Sequence, residues 1–263
     1  MIRQVTPDGH PDAVWRPWIE QLPRTTAGVL LRRLTPQAAA PRVLVLSAHP
    51  DDETLGGGRL IAEWVRAGAE VLTVAATAGE ACFDTVGHVE PDLARIRLEE
   101  WQQALAVLGA RAVGCLHLPD GGLQAHAAQL TERLSTLVDE LRPDVLAGTH
   151  RADPHPDHRA VGRAVDTVAA TRGLSSVGWP VWLTYFAEPP GPSGLEVVEC
   201  SAFAERVREA AWRCFRSQRQ PVAEDITPVV PHRMTALLRE QILQARLPEA
   251  RAATDRPAGR DRA

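Results

Sequence analysis

Short apolar runs alternate with amphipathic segments through the middle of the chain. Four runs rich in Val, Leu and Ala predict buried strands, because strands covered on both faces are apolar at consecutive positions; they span 42–48, 70–76, 112–118 and 144–149. Each run precedes a segment with helical spacing of apolar residues, which predicts helices over 57–67, 91–108, 127–141 and 156–171. Four strand–helix units in this order predict an α/β fold, a Rossmann-like open and mostly parallel sheet with helices on both faces.

The pattern is less regular towards both ends of the chain. Residues 1–40 are rich in proline and predict irregular structure. After the fourth unit the alternation breaks down, and we expect a C-terminal elaboration of the sheet. Its predicted elements are strands over 181–187 and 196–200, followed by helices over 202–218 and 232–246.

The length of 263 residues suits one large domain. We expect this domain to cover residues 1–248, with a motif-bearing core at about 42–218. Residues 249–263 are polar and contain proline and glycine, which predicts a disordered tail.

Composition and charge argue against several classes of function. A net charge of −4 without a basic stripe excludes nucleic acid as an expected partner. No signal peptide is visible and no apolar run is long enough to cross a bilayer, so we expect a cytoplasmic protein that does not bind membranes. The four cysteines lack C-x-x-C spacing, which predicts reduced thiols rather than a cysteine-bound zinc. The sequence leaves the oligomeric state open and is compatible with a homo-oligomer.

A polar cluster, AHPDDETLGGG at 48–58, follows the first predicted strand. A turn with a helix cap would account for the proline, aspartates and glycines. It would not account for His49, nor for the adjacent carboxylates of Asp51 and Asp52, which repel each other unless a cation lies between them.

A second cluster, HRADPHPDH at 150–158, follows the fourth predicted strand. In an open parallel sheet, ligand sites form at the carboxyl ends of the strands, near the point where the strand order reverses. Two loops that are far apart in sequence therefore meet if both leave the sheet there. We expect the two clusters to form one site.

Histidine nitrogen and carboxylate oxygen are both zinc ligands, and a catalytic zinc ion keeps three protein ligands and one open position. The turn after the first strand lets His49 and Asp52 face one ion, and His158 supplies a third ligand from the next helix. Asp51 is then free to accept a proton from water. Taken singly, each residue also suits a strand end, a helix cap or a solvated helical turn; their occurrence together favours a metal site.

The motifs A-H-P-D-D-E-T-L-G-G-G and H-P-D-H-R resemble those of the PIG-L/LmbE-like family of zinc-dependent N-acetylglucosaminyl deacetylases. The resemblance covers residues 42–218. It implies one zinc ion per chain with three ligands, His49, Asp52 and His158. It also implies three catalytic residues: Asp51 as general base, His155 as oxyanion stabiliser or proton donor, and Asp157 as the residue that orients His155. We expect a hydrogen bond between the Asp157 carboxylate and the ring of His155, which would favour the imidazolium form.

Weaker matches to the family are T-A-G-E at 77–80, R-x-x-E at 97–100, L-P-D-G-G at 118–122 and S-Q at 217–218. These imply substrate contacts by Glu80, Arg97 and Asp120. The structural alternatives are a turn shaped by Asp120 and an ion pair between Arg97 and Glu100 along one helix.

The resemblance implies hydrolysis of the linear C–N bond of an acetamide, in a small N-acetylated sugar or a glycoconjugate. We expect substrate contacts from loops at 82–90, 187–195 and 220–231, because loops carry such specificity. An alternative is a zinc-dependent hydratase of a small unsaturated carboxylic acid, whose cationic pocket would come from Arg59, Arg97, Arg151 and Arg159. A nucleotide-binding module is a weaker alternative, because G-G-G is not G-x-G-x-x-G and the carboxylates would repel a pyrophosphate.

Overall fold

An open sheet with helices on both faces organises the residues that the computed structural model describes, 3–238 and 240–248. The strands are β1 (Arg24–Thr26), β2 (Arg42–Ser47), β3 (Glu70–Ala75), β4 (Arg111–Cys115), β5 (Val145–Thr149), β6 (Ser175–Trp179), β7 (Glu196–Glu199) and β8 (Gln241–Arg246). The helices are α1 (Asp12–Ile19), α2 (Ala27–Leu34), α3 (Asp52–Arg66), α4 (Leu93–Leu108), α5 (Ala127–Leu141), α6 (Pro156–Arg172), α7 (Leu183–Phe186), α8 (Ala202–Trp212), α9 (Arg216–Arg219) and α10 (His232–Leu237). The tail predicted at 249–263 lies outside the described residues.

The strands lie in the order β1-β7-β8-β6-β5-β2-β3-β4. The five from β4 to β6 pair in parallel, and β8 is antiparallel to both of its neighbours, β6 and β7. From β2 the chain proceeds outwards to β3 and β4, and it then returns to β5 on the other side of β2. The strand order therefore reverses between β2 and β5, where parallel sheets of this kind bind ligands. The Rossmann-like, mostly parallel architecture predicted from the sequence is confirmed.

Side chains of β2 alternate between two apolar layers, as the pleat of a strand requires. Val43 and Val45 pack into a cluster that includes Leu60 and Trp64 of α3. Leu44 and Leu46 pack into a second cluster on the opposite face, with residues of α5 and α6. Both faces of the strand are therefore covered, which explains its continuous apolar run.

Helix α3 begins at Asp52, five residues before the predicted start at 57. Gly56 consequently lies inside the helix together with Gly57 and Gly58, which the predicted helix already included. A Cβ atom on Gly56 would lie 2.3 Å from Cδ1 of Trp179, and one on Gly57 would lie 2.7 Å from Cζ2 of the same ring. The glycines allow the first turns of α3 to lie directly against this buried tryptophan.

The N-terminal prediction and one C-terminal strand prediction were wrong. Residues 1–40, predicted to be irregular, contain α1, β1 and α2. The strand predicted over 181–187 is replaced by the short helix α7. The aromatic and branched residues there favour a strand locally, but the backbone N–H groups of Val181 and Trp182 donate to the carboxylate of Asp153 instead of to a neighbouring strand.

Three further differences concern the C-terminal elaboration. Strand β6 was missed, because its serines and glycine give a weak strand pattern. The helix predicted over 202–218 is divided into α8 and α9. The helix predicted over 232–246 ends at Leu237, and its second half is strand β8. A short apolar run such as Ile242–Leu243 suits either structure, and pairing with β6 and β7 decides in favour of the strand.

No helix within residues 3–238 and 240–248 combines the length and the apolar character needed to cross a membrane.

The contact between α3 and Trp179 predicts the effect of adding a single methyl group. Gly57→Ala should lower the free energy of unfolding by about 1–3 kcal/mol, because the buried indole ring cannot retreat. Gly28→Ala in α2 is the matched control, since its Cβ would lie 3.6 Å from the nearest side-chain atom, Nη1 of the exposed Arg32. That change should leave stability unaltered or raise it by up to about 1 kcal/mol. Urea unfolding measures the free energy of unfolding of both variants. Equal values for the two would contradict the close contact between α3 and Trp179.

Candidate metal centre

The two polar clusters of the sequence meet at the carboxyl ends of β2 and β5. His49 follows β2 by two residues, and Asp52 is the first residue of α3. His158 lies in the first turn of α6, which follows β5. Nε2 of His158 is 3.4 Å from Nδ1 of His49, although 109 positions separate them in sequence. The predicted convergence is therefore present in the structure.

His49, Asp52 and His158 present donor atoms at the spacing of ligands around one ion. Asp52 Oδ2 lies 3.3 Å from His49 Nδ1, and Asp52 Oδ1 lies 3.0 Å from His158 Nε2. Ligands of a tetrahedral zinc ion with bonds of about 2.0–2.1 Å are about 3.3 Å apart. The donor chemistry and the spacing both fit a metal ion.

Other donors lie close to the same histidines. His155 forms a group with His49 and His158, and Asp120 and Asp157 form another with His49, each with all ligand atoms within 4.8 Å. These three side chains also have protein partners. His155 Nδ1 accepts from the backbone N–H of Asp157, Asp157 accepts from two backbone N–H groups, and Asp120 accepts from the N–H of Ala81.

The centre carries more carboxylates than cationic groups. Five carboxylates contact its histidines or its buried arginine, Arg97. Burial opposes charge on His158, but Asp52 and Asp153 outweigh this effect and raise its pKa to about 9. Burial would raise the pKa of Asp52, yet the two histidines hold it well below its usual value. A site that favours cations this strongly suits a metal cofactor.

Asp51 adopts a strained backbone conformation beside the ligand set. Its φ of 136° lies in a region that residues other than glycine rarely occupy. Its side chain does not cap α3 and instead lies 3.3 Å from Nη2 of Arg97. Burial raises the pKa of Asp51 to about 7, although the guanidinium favours the ionised form.

Arg97 ties three segments of the centre together. Its guanidinium donates to the carbonyl oxygens of Gly79 at 2.7 Å and of Pro50 at 2.9 Å. A Cβ on Gly79 would lie 2.1 Å from Nη1 of Arg97, which explains the glycine of the T-A-G-E motif. The considered ion pair with Glu100 does not form, because Glu100 accepts from the backbone N–H and the hydroxyl of Ser217.

His155 and Asp157 differ from the sequence expectation. The carboxylate of Asp157 accepts from Gly121 N at 2.8 Å and Leu123 N at 3.1 Å, and it lies 3.4 Å from His49 Nε2. It does not form the expected hydrogen bond with the ring of His155. Burial and repulsion from the other two histidines lower the pKa of His155 to about 4. The lowered pKa favours a neutral ring over the expected imidazolium, and the proton of that ring lies on Nε2, since Nδ1 accepts a hydrogen bond.

Asp120 and Glu80, predicted to contact substrate, form a connected pair. Asp120 Oδ1 lies 3.0 Å from His49 Nε2, and Glu80 accepts from the backbone N–H of Asp120. A carboxylate at Nε2 favours the tautomer that leaves Nδ1 of His49 free to bind a metal. Asp120 is thus placed to orient a ligand, while Glu80 is exposed and shapes the loop around it.

The sequence interpretation assigned no role to Asp153. Its Oδ1 lies 3.1 Å from Nδ1 of His158, and its Oδ2 accepts from the backbone of Val181. It therefore faces the outer nitrogen of His158, as Asp120 faces that of His49. Its position inside the HRADPHPDH cluster is the feature of the sequence that could have identified it as a site residue.

Gln218, also without an assigned role, presents a hydrogen-bond acceptor near the centre. Its side chain is 1% exposed and lines the central cavity. Ser217 Oγ donates to Glu100 and accepts from Gln218 Nε2, so the serine hydroxyl sets the orientation of the amide. Oε1 of Gln218 has no hydrogen-bond partner within the part of the chain that the structure describes.

The centre opens into a cavity of about 290 Å³. Its lining combines polar residues of the centre, His49, Asp51, Asp52, Asp120 and His155, with an apolar wall formed by Val5, Pro7, Trp182, Phe186, Val229 and Val230. The loops predicted at 82–90 and 220–231 contribute to the lining, whereas 187–195 does not. The sequence interpretation missed the segment at Val5–Pro7, which is held by a hydrogen bond from Thr6 to the carbonyl of Val229.

Comparison with known proteins agrees with this geometry. Residues 44–169 match the family model described as PIG-L, GlcNAc-PI de-N-acetylase. A 1D-myo-inositol 2-acetamido-2-deoxy-alpha-D-glucopyranoside deacetylase of Rhodococcus erythropolis is 31% identical over 224 residues, which cover 72% of this chain and 73% of the relative. The chain belongs to the PIG-L family. The family resemblance read from the sequence is thereby confirmed.

Two further PIG-L comparisons show how far the likeness extends. A deacetylase of the same description from Mycobacterium sp. strain KMS is 35% identical over 169 residues, 54% of each chain, so this chain spans about half the length of that relative. The N,N'-diacetylchitobiose deacetylase of Pyrococcus horikoshii has a TM-score of 0.55 at 22% identity, covering 74% of this chain and 80% of its own. This structural likeness supports the fold.

The position of Asp120 predicts a change in metal affinity. Asp120→Asn should weaken metal binding by about 10- to 100-fold, because His49 loses the carboxylate that faces its outer nitrogen. Competition with a chromophoric chelator measures the affinity. Asp139→Asn, which alters an exposed carboxylate paired with Arg172, is the control and should leave it unchanged. A variant with normal metal affinity and only a raised KM would instead support the substrate contact predicted from the sequence.

Proposed function

We propose that the chain is a zinc-dependent deacetylase that hydrolyses the acetamide of an N-acetylglucosaminyl compound. The observation that carries this proposal is the arrangement of His49, Asp52 and His158 around one point, with the carboxylate of Asp51 facing the same cavity. Family membership supports the same chemistry.

His49, Asp52 and His158 hold one zinc ion per chain in this proposal. Two imidazoles and one carboxylate suit zinc and leave a position open, as catalysis requires. When bound, zinc supplies Lewis acidity, which polarises a carbonyl group and lowers the pKa of water from about 15.7 towards about 7. Asp120, Asp153 and Asp157 face the outer nitrogens of the two histidines and keep their rings oriented.

Asp51 is the general base. It lines the cavity, does not cap α3, and is held by Arg97 at one carboxylate oxygen. Its ionised form accepts a proton from the attacking water. The protonated carboxyl then returns that proton to the leaving amine, which completes the hydrolysis.

His155 stabilises the oxyanion of the tetrahedral intermediate. The backbone N–H of Asp157 donates to Nδ1 at 3.3 Å, so the proton of the neutral ring resides on Nε2. A neutral imidazole donates a hydrogen bond to an oxyanion without having to carry charge itself. Asp157 thus positions His155 through its backbone and not through its carboxylate.

The substrate is a small N-acetylated sugar or glycoconjugate. A cavity of about 290 Å³ suits a compact molecule with polar groups at the metal end. Gln218 Oε1 is placed to accept from a substrate hydroxyl or amide N–H, because none of the described residues donates a hydrogen bond to this buried atom. The apolar wall that includes Trp182 and Phe186 faces a less polar part of the substrate.

The four arginines considered for a hydratase do not form a cationic pocket for a substrate carboxylate at the metal centre. Arg97 lines the cavity but pairs with Asp51. The other candidate arginines have partners elsewhere: Arg59 pairs with Glu205, Arg151 lies near Asp166, and Arg159 donates to backbone carbonyls. The same carboxylates disfavour the phosphates of a nucleotide.

Two substitutions separate metal binding from proton transfer. Asp51→Asn should retain zinc and lower turnover by about 10²- to 10⁴-fold, because Asn cannot act as a base. His158→Ala should lose the metal, since one ligand is removed. Free acetate released from N-acetylglucosaminyl-inositol measures activity, and elemental analysis measures zinc in the full chain. An empty site in Asp51→Asn would contradict the division of roles within the aspartate pair, and the absence of acetate release by the zinc-loaded native protein would contradict deacetylation.

The role of His155 gives a separate prediction. His155→Ala should lower kcat by about 10²- to 10³-fold, the usual cost of losing one oxyanion donor. The zinc content should stay at one per chain, because His155 is not among the three ligands. Steady-state acetate release and elemental analysis of the same preparation provide the check. Turnover close to that of the native protein would contradict the role of His155 and would mean that other groups stabilise the oxyanion.

A further inference from the structure

A second cavity, of about 310 Å³, lies next to the catalytic cavity and shares Val230 with it as a wall. Residues of α8 and α10 and of the segments beside them line this cavity, and none of its lining residues is a metal-centre residue. Nothing in the proposed deacetylase mechanism uses it. We refer to it as the arginine cavity, defined by Arg208, Arg213, Arg219 and His232 in its lining.

The arginine cavity concentrates positive charge in a chain with a net charge of −4. Three guanidinium groups and one imidazole line it against the single carboxylate of Glu209. That carboxylate lies 3.9 Å from Arg213 in an exposed pair, which neutralises little of the charge. The electrostatic potential inside the cavity therefore favours an anion.

Arg208 has unused hydrogen-bonding capacity. It is 5% exposed, and its Nη2 donates to Glu205 at 2.8 Å. Glu205 also accepts from the buried Arg59, so two guanidinium groups share one carboxylate. Among residues 3–238 and 240–248, Nε and Nη1 of Arg208 have no hydrogen-bond partner. Buried donors of a charged group are costly to leave unpaired, which points to an additional acceptor.

Trp212 provides a flat wall for the same space. This residue is 8% exposed, and the guanidinium carbon of Arg219 lies 5.9 Å from the centroid of its ring. This cation–π contact keeps Arg219 at the cavity without neutralising its charge. Planar guanidinium groups are well suited to oxyanions, because they offer several donors in fixed directions.

We propose that the arginine cavity is an oxyanion-binding site that takes a phosphate or carboxylate group. The group is bound by Arg208 from inside the protein and by Arg213 and Arg219 from the surface. It belongs either to a free anion or to an anionic part of a substrate that extends past Val230. Both sources present the same chemistry to the cavity.

Calorimetric titration of the full chain with inorganic phosphate, at constant ionic strength and without substrate, tests the site. We expect one saturable site per chain. The double substitution Arg213→Gln with Arg219→Gln should weaken binding by about tenfold or more, as expected for lost charged hydrogen bonds. Arg208→Lys, which keeps the charge for Glu205 but removes guanidinium donors, should also weaken it. The first variant changes surface residues, so it stays informative if the buried change disturbs folding.

Arg206→Gln is the matched control. Arg206 lies on α8, is exposed, and does not line the arginine cavity. Its loss changes the net charge but not the proposed site, so phosphate affinity should stay the same. No saturable binding, or equal weakening by Arg206→Gln, would overturn the proposal. Because no turnover is measured, this result is independent of whether the chain is a deacetylase.

Two substrates distinguish the sources of the anion. If the anion belongs to the substrate, the double variant should lower kcat/KM for N-acetylglucosamine 6-phosphate about tenfold and leave N-acetylglucosamine unaffected. If it is a free anion, phosphate should bind with equal affinity in the presence and absence of N-acetylglucosamine. The double substitution should then change kcat/KM by the same factor for both substrates. Either pattern supports an oxyanion site, provided that the direct titration shows one.

Discussion

The buried guanidinium of Arg97 is the interaction on which the geometry of the metal centre depends. It is the cation that balances part of a dense group of carboxylates, and it also holds the carbonyl groups of Pro50 and Gly79. The strained conformation of Asp51 costs about 1–3 kcal/mol by itself, and the bonds around Arg97 offset this cost. The strained turn points the carboxylate of Asp51 to the cavity, while Asp52 faces the histidines. One arginine thus separates two adjacent aspartates into different environments.

The central fold and the site's position could be predicted from the sequence because both follow from local patterns and from one geometric rule. The strands β2, β3 and β5 are apolar at consecutive positions, and the following helices have clear apolar periodicity. Once the sheet is parallel, the residues after β2 and β5 must meet at the same edge. His49, Asp52 and His158 could therefore be grouped without knowledge of any contact.

The remainder depends on contacts that a linear pattern does not contain. Strand β8 and helix α7 are decided by tertiary hydrogen bonds, the first with two strands and the second with Asp153. The carboxylate of Asp157 turns to the backbone at Gly121 and Leu123, so a residue two positions from His155 fails to contact its ring. Asp120 faces the outer nitrogen of His49 across a long sequence separation, whereas Asp153 faces that of His158 from within the same HRADPHPDH cluster. Residue types identified the chemistry of the site, but not which carboxylate serves which histidine.

The position of β8 has a consequence for how the chain reaches this structure. Strand β8 is the last described strand in sequence, yet it lies between β6 and β7 and connects β7 and β1 to the parallel strands. During synthesis, the five parallel strands from β4 to β6 are complete once Trp179 has been added. Strands β1 and β7 can join this sheet only after residues 241–246, which form β8, have been made. Until then β6 has an unpaired edge, which is prone to association with other chains. Pairings over such long sequence separations also form slowly. The strands beyond β6, which are β8, β7 and β1, are therefore the part of the sheet that depends most on protection from wrong pairing with other chains during synthesis.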